Sequence, residues 1–246
     1  PTMSLTGYDW AKHRLTKALL RPYVALVLSR LDSVVFASSG ERSASGPKTW
    51  PRSDVVLHPS VLPPLEPARN RQGIVFVGRV DPQKDLELLF RALALLPGGV
   101  RLKLVGSGSP EYVDELKNFA ASLGISDRID WLGWLPHVDA LRVVSGSQVV
   151  AVTSIVENFC HTAIEGLQLS AEVVLVDRVL SASDISRIAP NSIVVTADPE
   201  SVSMGMREAL ARWTCSAAGR AESANRVRQE CTPRAAATRV LGKACA

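Results

Sequence analysis

The sequence of 246 residues contains few cysteines and few aromatic residues. Its four cysteines, at positions 160, 215, 231 and 245, show no C-x-x-C spacing and no partnered histidines, so neither a zinc site nor a disulfide framework is indicated. Aromatic residues make up 5% of the chain and the net charge is only +4, whereas nucleic-acid binding needs a continuous basic stripe with interleaved aromatics. We therefore expect no metal, no nucleic-acid partner and a cytoplasmic location.

The chain also lacks a long uninterrupted apolar run. Arg21, Pro22 and Arg30 break the longest one, which argues against a transmembrane span or a signal peptide. The surrounding stretch, Trp10 to Leu31, predicts a basic amphipathic helix. Such a helix either packs on its own sheet, which is our expectation, or makes a peripheral contact with an anionic membrane surface.

Apolar segments of strand length alternate with helical segments from residue 74 onward. This alternation predicts a Rossmann-like, doubly wound parallel sheet of the α/β class. The first predicted strand begins at Ile74. The others span Arg101–Val105, Arg128–Leu132, Gln148–Val152, Val173–Asp177 and Ser192–Thr196. The predicted helices are Gln83–Leu96, Glu111–Leu123, Val138–Ser145 and Cys160–Leu169, followed by a helical region beyond Pro199.

Two glutamates, Glu157 and Glu165, are the most informative residues because of where they fall. Seven residues separate them; the first lies in the loop after a predicted buried strand and the second in the early turns of the next helix. Open parallel sheets bind ligands at this rim. Helix N–H groups there attract phosphate, and a carboxylate can accept hydrogen bonds from a sugar diol. The pattern therefore suits a phosphorylated sugar, although two glutamates at this spacing also occur by coincidence.

A second segment places two cations after the strand that begins at Ile74. Gly78 is expected to let the backbone turn sharply, Arg79 supplies a planar fork of donors, and Lys84 supplies a point charge. Together these cations suit a diphosphate. The alternative is an ordinary solvated helix start.

Read in order, these segments resemble the carboxyl-terminal domain of the retaining glycosyltransferases of family 4, which have the two-domain GT-B architecture. The resemblance covers about Ile74 to Ala197. It rests on four segments in family order, namely Gly78–Lys84, Leu104–Gly108, Leu123–Gly133 and Glu157–Glu165.

The resemblance implies a role for each matching residue. Arg79 and Lys84 would bind the donor diphosphate, Glu165 the ribose hydroxyls, and Glu157 a hydroxyl of the transferred sugar, so that Glu157, Arg79 and Lys84 would carry catalysis. The remaining donor-binding residues implied are Gly78, Gly106, Gly133, Trp134, Phe159, Cys160, His161 and Thr162. Among them, His161 is expected to face the donor through its backbone. The donor would be a nucleotide sugar and the acceptor a carbohydrate or a lipid-linked molecule; no cofactor is expected.

The resemblance also implies a division of the chain. Residues 1–66 would be a remnant of the amino-terminal acceptor domain with a proline-rich hinge, residues 67–200 the donor-binding domain, and residues 201–246 carboxyl-terminal helices. A buried strand is predicted at Ser33–Ser38 within the remnant. Since about seventy residues are too few for a full first domain, we expect the chain to be a fragment.

Three positions depart from the family pattern. Asp85 and Cys160 replace glycines, and Ala171 lies in a segment that replaces Gly-x-Pro. We expect Asp85 to compete with phosphate for Lys84. At Cys160 the alternatives are a thiol with a lowered pKa at a helix start and, as we expect, a small residue filling a tight corner.

Three functions remain compatible with the sequence. The first is a retaining glycosyltransferase, or its donor half. The second is a module that binds nucleotide sugars without turnover. The third is another GT-B enzyme, such as a nucleotide-sugar epimerase, in which the arrangement of Glu157 and Glu165 is not expected.

Overall fold

The computed structural model describes residues 33–45, 53–65, 70–190 and 192–241, residue 68, and isolated positions between 19 and 31. The described strands are β1 (Val34–Phe36), β2 (Ser53–Val55), β3 (Ile74–Val77), β4 (Leu102–Val105), β5 (Ile129–Gly133), β6 (Val149–Val152), β7 (Glu172–Val176) and β8 (Ile193–Val195). The described α-helices are α1 (Ser39–Ala44), α2 (Leu86–Ala94), α3 (Pro110–Ser122), α4 (His137–Ser145), α5 (His161–Gln168), α6 (Ala182–Ile188), α7 (Pro199–Cys215), α8 (Ala217–Glu230) and α9 (Pro233–Leu241).

Six of these strands form one parallel sheet in the order β5-β4-β3-β6-β7-β8. The chain builds outward from β3 to one edge, then returns to the centre and builds from β6 to the other edge. The strand order therefore reverses between β3 and β6. At such a reversal the loops leave the carboxyl ends of the two strands in opposite directions, which opens a crevice for ligands. The predicted doubly wound α/β fold is confirmed.

Burial on both faces explains the apolar character of the central strands. Every residue of β6 and β7 is buried, as expected for parallel strands covered by helices on each side. Helix α2 contacts both α3 and α7 on one face, and α4, α5, α6 and α8 form a connected set on the other. The core is one continuous cluster that includes both faces of the sheet.

Helix α5 packs against the sheet at a glycine, Gly166, where there is no room for a side chain. A Cβ at Gly166 would fall 2.7 Å from a methyl carbon of Val150 in β6, so any larger residue would push the helix outward. The close contact fixes the amino end of α5 at the carboxyl end of β6, beside the crevice.

The segment before β3 forms a small parallel pair, β1 and β2, with α1 between them. The strand predicted at residues 33–38 is confirmed as β1, whereas α1 and β2 were not predicted. The start of α1 contacts α6: the backbone N–H and the hydroxyl of Ser39 both donate to Asp184 Oδ2 at 2.7 Å. The division of the chain into domains stays a prediction.

Some predicted elements differ in the structure. The helix predicted from residue 83 to 96 is divided into a 3-10 turn, Pro82–Lys84, and α2, because Asp85 takes a left-handed conformation with φ 50°. Helix α6 was not among the predicted helices. Between residues 19 and 31, the described large apolar side chains are exposed, so the expected packing of this segment is not seen in the described residues. No described helix is both long and apolar enough to cross a membrane.

A buried carboxylate lies at the start of β7, at the amino end of the strands and therefore opposite the crevice. Glu172 is 1% exposed, and its nearest cation, Arg220 of α8, is 3.5 Å away. Arg220 also stacks over the ring of Trp213, with 3.9 Å from its guanidinium carbon to the ring centroid. Burial raises the pKa of Glu172, although the charge of Arg220 opposes this rise. Removal from water therefore outweighs the ion pair.

This shift predicts a pH dependence of stability. The folded protein holds the Glu172 proton to a higher pH than the unfolded chain, whose glutamates titrate near about pH 4.3. As the pH rises above that value, the unfolded state loses this proton first, so the free energy of unfolding falls. In urea titrations between pH 4 and 7, Glu172→Gln should show a smaller fall than the wild type. The exposed Glu111→Gln is the matched control, and an unchanged slope in Glu172→Gln would contradict the argument.

Candidate functional site

The loops after β3, β4 and β5 are joined to one another at the carboxyl end of the sheet. The backbone N–H of Gly78 donates to Val105 O at 3.0 Å, and that of Gly106 donates to Gly133 O at 2.8 Å. These hydrogen bonds satisfy backbone groups beyond the strand ends. They give one wall of the crevice a fixed shape.

Two predicted glycines serve this wall in different ways. Gly106 has φ +143°, and a Cβ there would lie 1.7 Å from Gly78 O, so only glycine fits. Gly78 itself has no positive φ. Its Cβ would lie 3.2 Å from the ring of Phe76 and 3.7 Å from Lys84 Cε. Gly78 therefore does not need the left-handed backbone that favours glycine, and its absent side chain leaves space beside Phe76 and Lys84.

The turn that carries Lys84 is fastened to the loop after β6. Ile155 N–H donates to Gln83 O at 2.8 Å, and the Gln83 side chain donates to Val156 O at 3.1 Å. The hydroxyl of Thr153 donates to Lys84 O at 3.0 Å. Because β3 and β6 are neighbours in the sheet, these bonds hold the two loops together across the strand-order reversal.

An ion pair joins the two predicted charges across this reversal. Lys84 Nζ donates to Glu157 Oε2, and both side chains are largely buried, at 18% and 23% exposure. A charged hydrogen bond at such a partly desolvated position is stronger than a surface ion pair. Each group thus supplies a charged partner for the other in the crevice.

Asp85 does not compete for Lys84, contrary to the sequence-based expectation. Its Oδ2 accepts from Arg178 at 2.7 Å, and its Oδ1 accepts from Leu88 N–H at 3.3 Å and caps α2. The left-handed backbone at this position favours glycine, but aspartate tolerates it better than most residues. Asp85 therefore replaces the family's glycine without touching Lys84.

Arg79 lies on the outer side of the same crevice. Its side chain is 75% exposed and its guanidinium contacts Asp81 at 3.1 Å. An exposed pair of this kind is weak, so Arg79 can turn toward an anion at little cost. The crevice thus contains one buried, paired cation and one exposed, loosely held cation.

Most of the predicted donor-binding residues line one cleft of about 170 Å³. Its lining includes residues from the carboxyl ends of β3 and β6 and from the amino end of α5. The predicted residues among them are Gly78, Arg79, Lys84, Glu157, Phe159, Cys160, His161 and Thr162. The positive end of the α5 dipole and two cations therefore border the same space, an arrangement that binds an anionic group.

Four predicted residues lie outside that lining. Gly106 and Gly133 shape the wall, whereas Glu165 lies further along α5 and Trp134 is 71% exposed just after β5. Glu165 has a partner that the sequence did not reveal: its Oε1 lies 2.9 Å from Nε2 of His137. His137 precedes the predicted helix Val138–Ser145, but it is the first residue of α4. Only the three-dimensional contact between α4 and α5 brings this pair together.

Cys160 is a buried packing residue. Its side chain is 4% exposed, and burial raises the pKa of its thiol to about 12, with a smaller contribution from the charge of Glu157. The thiol therefore stays protonated at neutral pH and is a poor nucleophile. The expectation of a small residue in a tight corner is confirmed, and the alternative of a lowered pKa is wrong.

His161 lines the cleft at the amino end of α5. The ring makes an edge contact with Phe159 at 5.1 Å between centroids. Both rings also contact His58, which follows β2 and was not predicted to belong to the site. No group of three potential metal-ligating side chains occurs within the described part of the chain, and the prediction of no metal stays a prediction.

Sequence comparison identifies relatives that match the part of the chain containing the cleft. An uncharacterized glycosyltransferase of Methanocaldococcus jannaschii is 30% identical over 145 residues, which is 58% of this chain and 37% of that protein. The D-inositol 3-phosphate glycosyltransferase of Mycobacteroides abscessus is 38% identical over 108 residues, 43% of this chain and 24% of that protein. The matched region thus spans less than half of these curated relatives.

Solved structures share the fold over nearly the whole chain. Sucrose-phosphate synthase from Thermosynechococcus elongatus superimposes with a TM-score of 0.79 at 20% identity, covering 96% of this chain and 62% of that one. Anabaena HepE in complex with UDP and glucose superimposes with a TM-score of 0.78 at 18% identity, covering 95% and 68%. The fold is therefore of the GT-B type.

The family model described as "Glycosyl transferases group 1" matches residues 63–229. This range contains the whole six-stranded sheet, both loops that meet at the strand-order reversal, and the cleft between them. The chain belongs to the glycosyl transferases group 1 family.

Proposed function

We propose that this chain carries the donor site of a retaining glycosyltransferase of family 4. It would take a nucleoside-diphosphate sugar and transfer the sugar, with retention, to a carbohydrate or lipid-linked acceptor. The observation that carries the proposal is the cleft at the reversal between β3 and β6, where Arg79, Lys84 and the amino end of α5 surround one anion-sized space. The wider activity of the full-length relatives is part of the proposal.

The cations would act on the leaving group. As the bond between sugar and diphosphate breaks, negative charge grows on the diphosphate, and fixed positive groups stabilise it without reorganisation. Lys84 is already held in place by the loop contacts, whereas Arg79 would turn from Asp81 onto the phosphate. These groups supply the neutralisation that a metal ion provides in other transferases, so the proposal requires no metal.

The ion pair between Lys84 and Glu157 would couple recognition of the diphosphate to recognition of the sugar. When a diphosphate oxygen accepts hydrogen bonds from the ammonium group of Lys84, a carboxylate oxygen of Glu157 becomes free. That oxygen then accepts a hydrogen bond from a hydroxyl of the transferred sugar. Before the donor binds, the pair leaves neither buried charge without a partner. Afterwards Lys84 would bind the diphosphate and Glu157 the sugar hydroxyl.

The nucleoside would lie outside the cleft lined by Lys84, near Glu165 of α5. Glu165 would accept hydrogen bonds from the ribose hydroxyls, with His137 holding its carboxylate in place. Trp134, exposed after β5, offers a flat surface near the nucleobase. Anabaena HepE has been solved with UDP and with UDP-glucose, which makes UDP and UDP-glucose the first ligands to test.

A module that binds nucleotide sugars without turnover is the second candidate. The observation that favours it is Cys160, whose side chain fills the corner where the family has glycine. A side chain there reduces the space beside the sugar and the backbone of α5. Binding of UDP-glucose without transfer of the sugar to any acceptor would support this candidate over the enzyme.

The first binding prediction concerns the two cations. Arg79→Ala should weaken UDP binding by about 1.5–3 kcal/mol, the range for hydrogen bonds to charged groups. Lys84→Ala should cost more, because it also leaves the Glu157 carboxylate unpaired beside the diphosphate. Restoring neutrality in Lys84→Ala/Glu157→Gln should recover part of the loss. Titration calorimetry measures all three, with the exposed Lys117→Ala as control; unchanged affinity in both single variants would remove the diphosphate from this cleft.

The second binding prediction separates the two glutamates. Glu165→Ala should weaken UDP and UDP-glucose alike, because both carry the ribose. Glu157→Ala should weaken UDP-glucose relative to UDP, and UDP itself should bind as well as or better than to the wild type, since Lys84 is released from its partner. The ratio of the two dissociation constants is the readout. An equal loss of both ligands in both variants would contradict the assignment.

Turnover is tested by the configuration of the product. Because about seventy residues are too few for a full acceptor domain, the assay supplies that domain in trans, together with UDP-glucose and a mixed acceptor library. A retaining transferase then converts the α-linked donor into an α-linked product, which proton NMR distinguishes from the β-anomer. The product formed early in the reaction should be α, and Lys84→Ala should reduce its rate at least about tenfold, the effect of losing roughly 1.4 kcal/mol of transition-state stabilisation. A β-linked product would exclude retention.

A further inference from the structure

A second ion pair joins two loops that are not neighbours in the sheet. Arg178, in the loop after β7, donates from Nη2 to Asp85 Oδ2 at 2.7 Å. The two side chains are 35% and 23% exposed. Asp85 lies in the loop after β3, and β6 separates β3 from β7 in the sheet. The Asp85–Arg178 pair therefore connects the loops on either side of the loop that carries Glu157.

Both ends of this pair adjoin the ion pair in the cleft. Asp85 directly follows Lys84 in the chain. Val179, which directly follows Arg178, forms a parallel β-bridge with Glu157, and the next backbone N–H donates to Glu157 O at 2.8 Å. The β7 loop thus bonds the backbone of Glu157 itself. The Asp85–Arg178 pair connects that loop to the residue beside Lys84.

The position of Arg178 depends on Asp85. In the part of the chain that the structure describes, Asp85 is the one carboxylate within ion-pair distance of Arg178, and the buried Nε of Arg178 has no hydrogen-bond partner. Asp85 is itself fixed, because its Oδ1 accepts from Leu88 N–H at the start of α2. A partly buried guanidinium that loses its anionic partner is left with an uncompensated charge. The start of α2 therefore determines where Arg178 lies.

We propose that Arg178 is a positioning residue for Glu157: through Asp85 it holds the β7 loop, and with it the backbone of Glu157, at a fixed distance from Lys84. The inference rests on the proposed function of the cleft, in which Lys84 and Glu157 separate when the diphosphate binds. Their own ion pair then no longer sets the distance between them, whereas the Asp85–Arg178 pair still does. Glu157 would thus meet the sugar hydroxyl from a position that is independent of Lys84.

Loss of the Asp85–Arg178 pair should impair recognition of the sugar more than recognition of the diphosphate. Arg178→Met keeps the aliphatic stem and removes the cation. Asp85→Asn keeps an oxygen for the cap of α2 and a residue that tolerates the left-handed backbone, and removes the anion. In each variant, the dissociation constant of UDP-glucose divided by that of UDP should rise at least about threefold, within the range of coupling between residues in contact. The double variant should show no larger rise, because both substitutions remove the same contact.

The experiment is titration calorimetry of UDP and UDP-glucose with the full chain. The two substitutions change the local charge in opposite directions, so a general electrostatic effect would move the ratio in opposite directions. In a Glu157→Ala background, Arg178→Met should leave the ratio unchanged, because the group that it positions is gone. Arg226→Met, which removes a guanidinium from an exposed ion pair on α8, is the matched control. Urea unfolding checks that each variant is folded, and if Arg178→Met is not, Asp85→Asn provides the same test.

The outcomes separate this inference from the function on which it rests. A ratio that is unchanged in both single variants, whatever their stability, would overturn the inference and leave the donor site standing. Opposite changes in the two variants would overturn it as well. An equal rise with and without Glu157 would mean that Arg178 acts on the sugar directly, and would reject the positioning role. If neither UDP nor UDP-glucose binds to the wild type, the donor proposal and the inference fail together.

Discussion

The reversal of strand order between β3 and β6 is the constraint on which the rest of the site depends. Neighbouring parallel strands whose connections leave in opposite directions cannot cover their shared carboxyl end, so a crevice remains there. The loops that border it are bonded to each other, through Gln83 and Thr153 among others. Side chains placed on those loops therefore meet at fixed distances, although about seventy residues separate them in the chain.

The ion pair of Lys84 and Glu157 places the charged groups for ligand binding in this crevice. A lysine alone in a partly buried cleft would carry an uncompensated charge, and so would a glutamate. Paired, they leave neither charge uncompensated and retain the donors and acceptors that a diphosphate and a sugar hydroxyl need. Asp85 and Arg178 form a separate pair beside them, so the acidic replacement at position 85 leaves this exchange undisturbed.

The sequence predicts local features well and long-range partnerships poorly. Alternating apolar segments predict the sheet, and the positions of Arg79, Lys84 and Glu157 after strands predict the rim where they meet. By contrast, His137 binds Glu165 and His58 contacts His161 only because separate elements pack together, and nothing in the residues near either histidine indicates its partner. The backbone at Asp85 is a similar case, since its left-handed conformation emerges from the joining of a 3-10 turn to α2.

The central claim is that the cleft between β3 and β6 receives the diphosphate of a nucleotide sugar. The most direct measurement is a crystal structure of the protein with UDP-glucose. The account predicts that the diphosphate lies between Arg79, Lys84 and the amino end of α5, and that Glu157 has exchanged Lys84 for a sugar hydroxyl. A nucleotide bound elsewhere, or a diphosphate in the cleft with the ion pair of Lys84 and Glu157 intact, would contradict it.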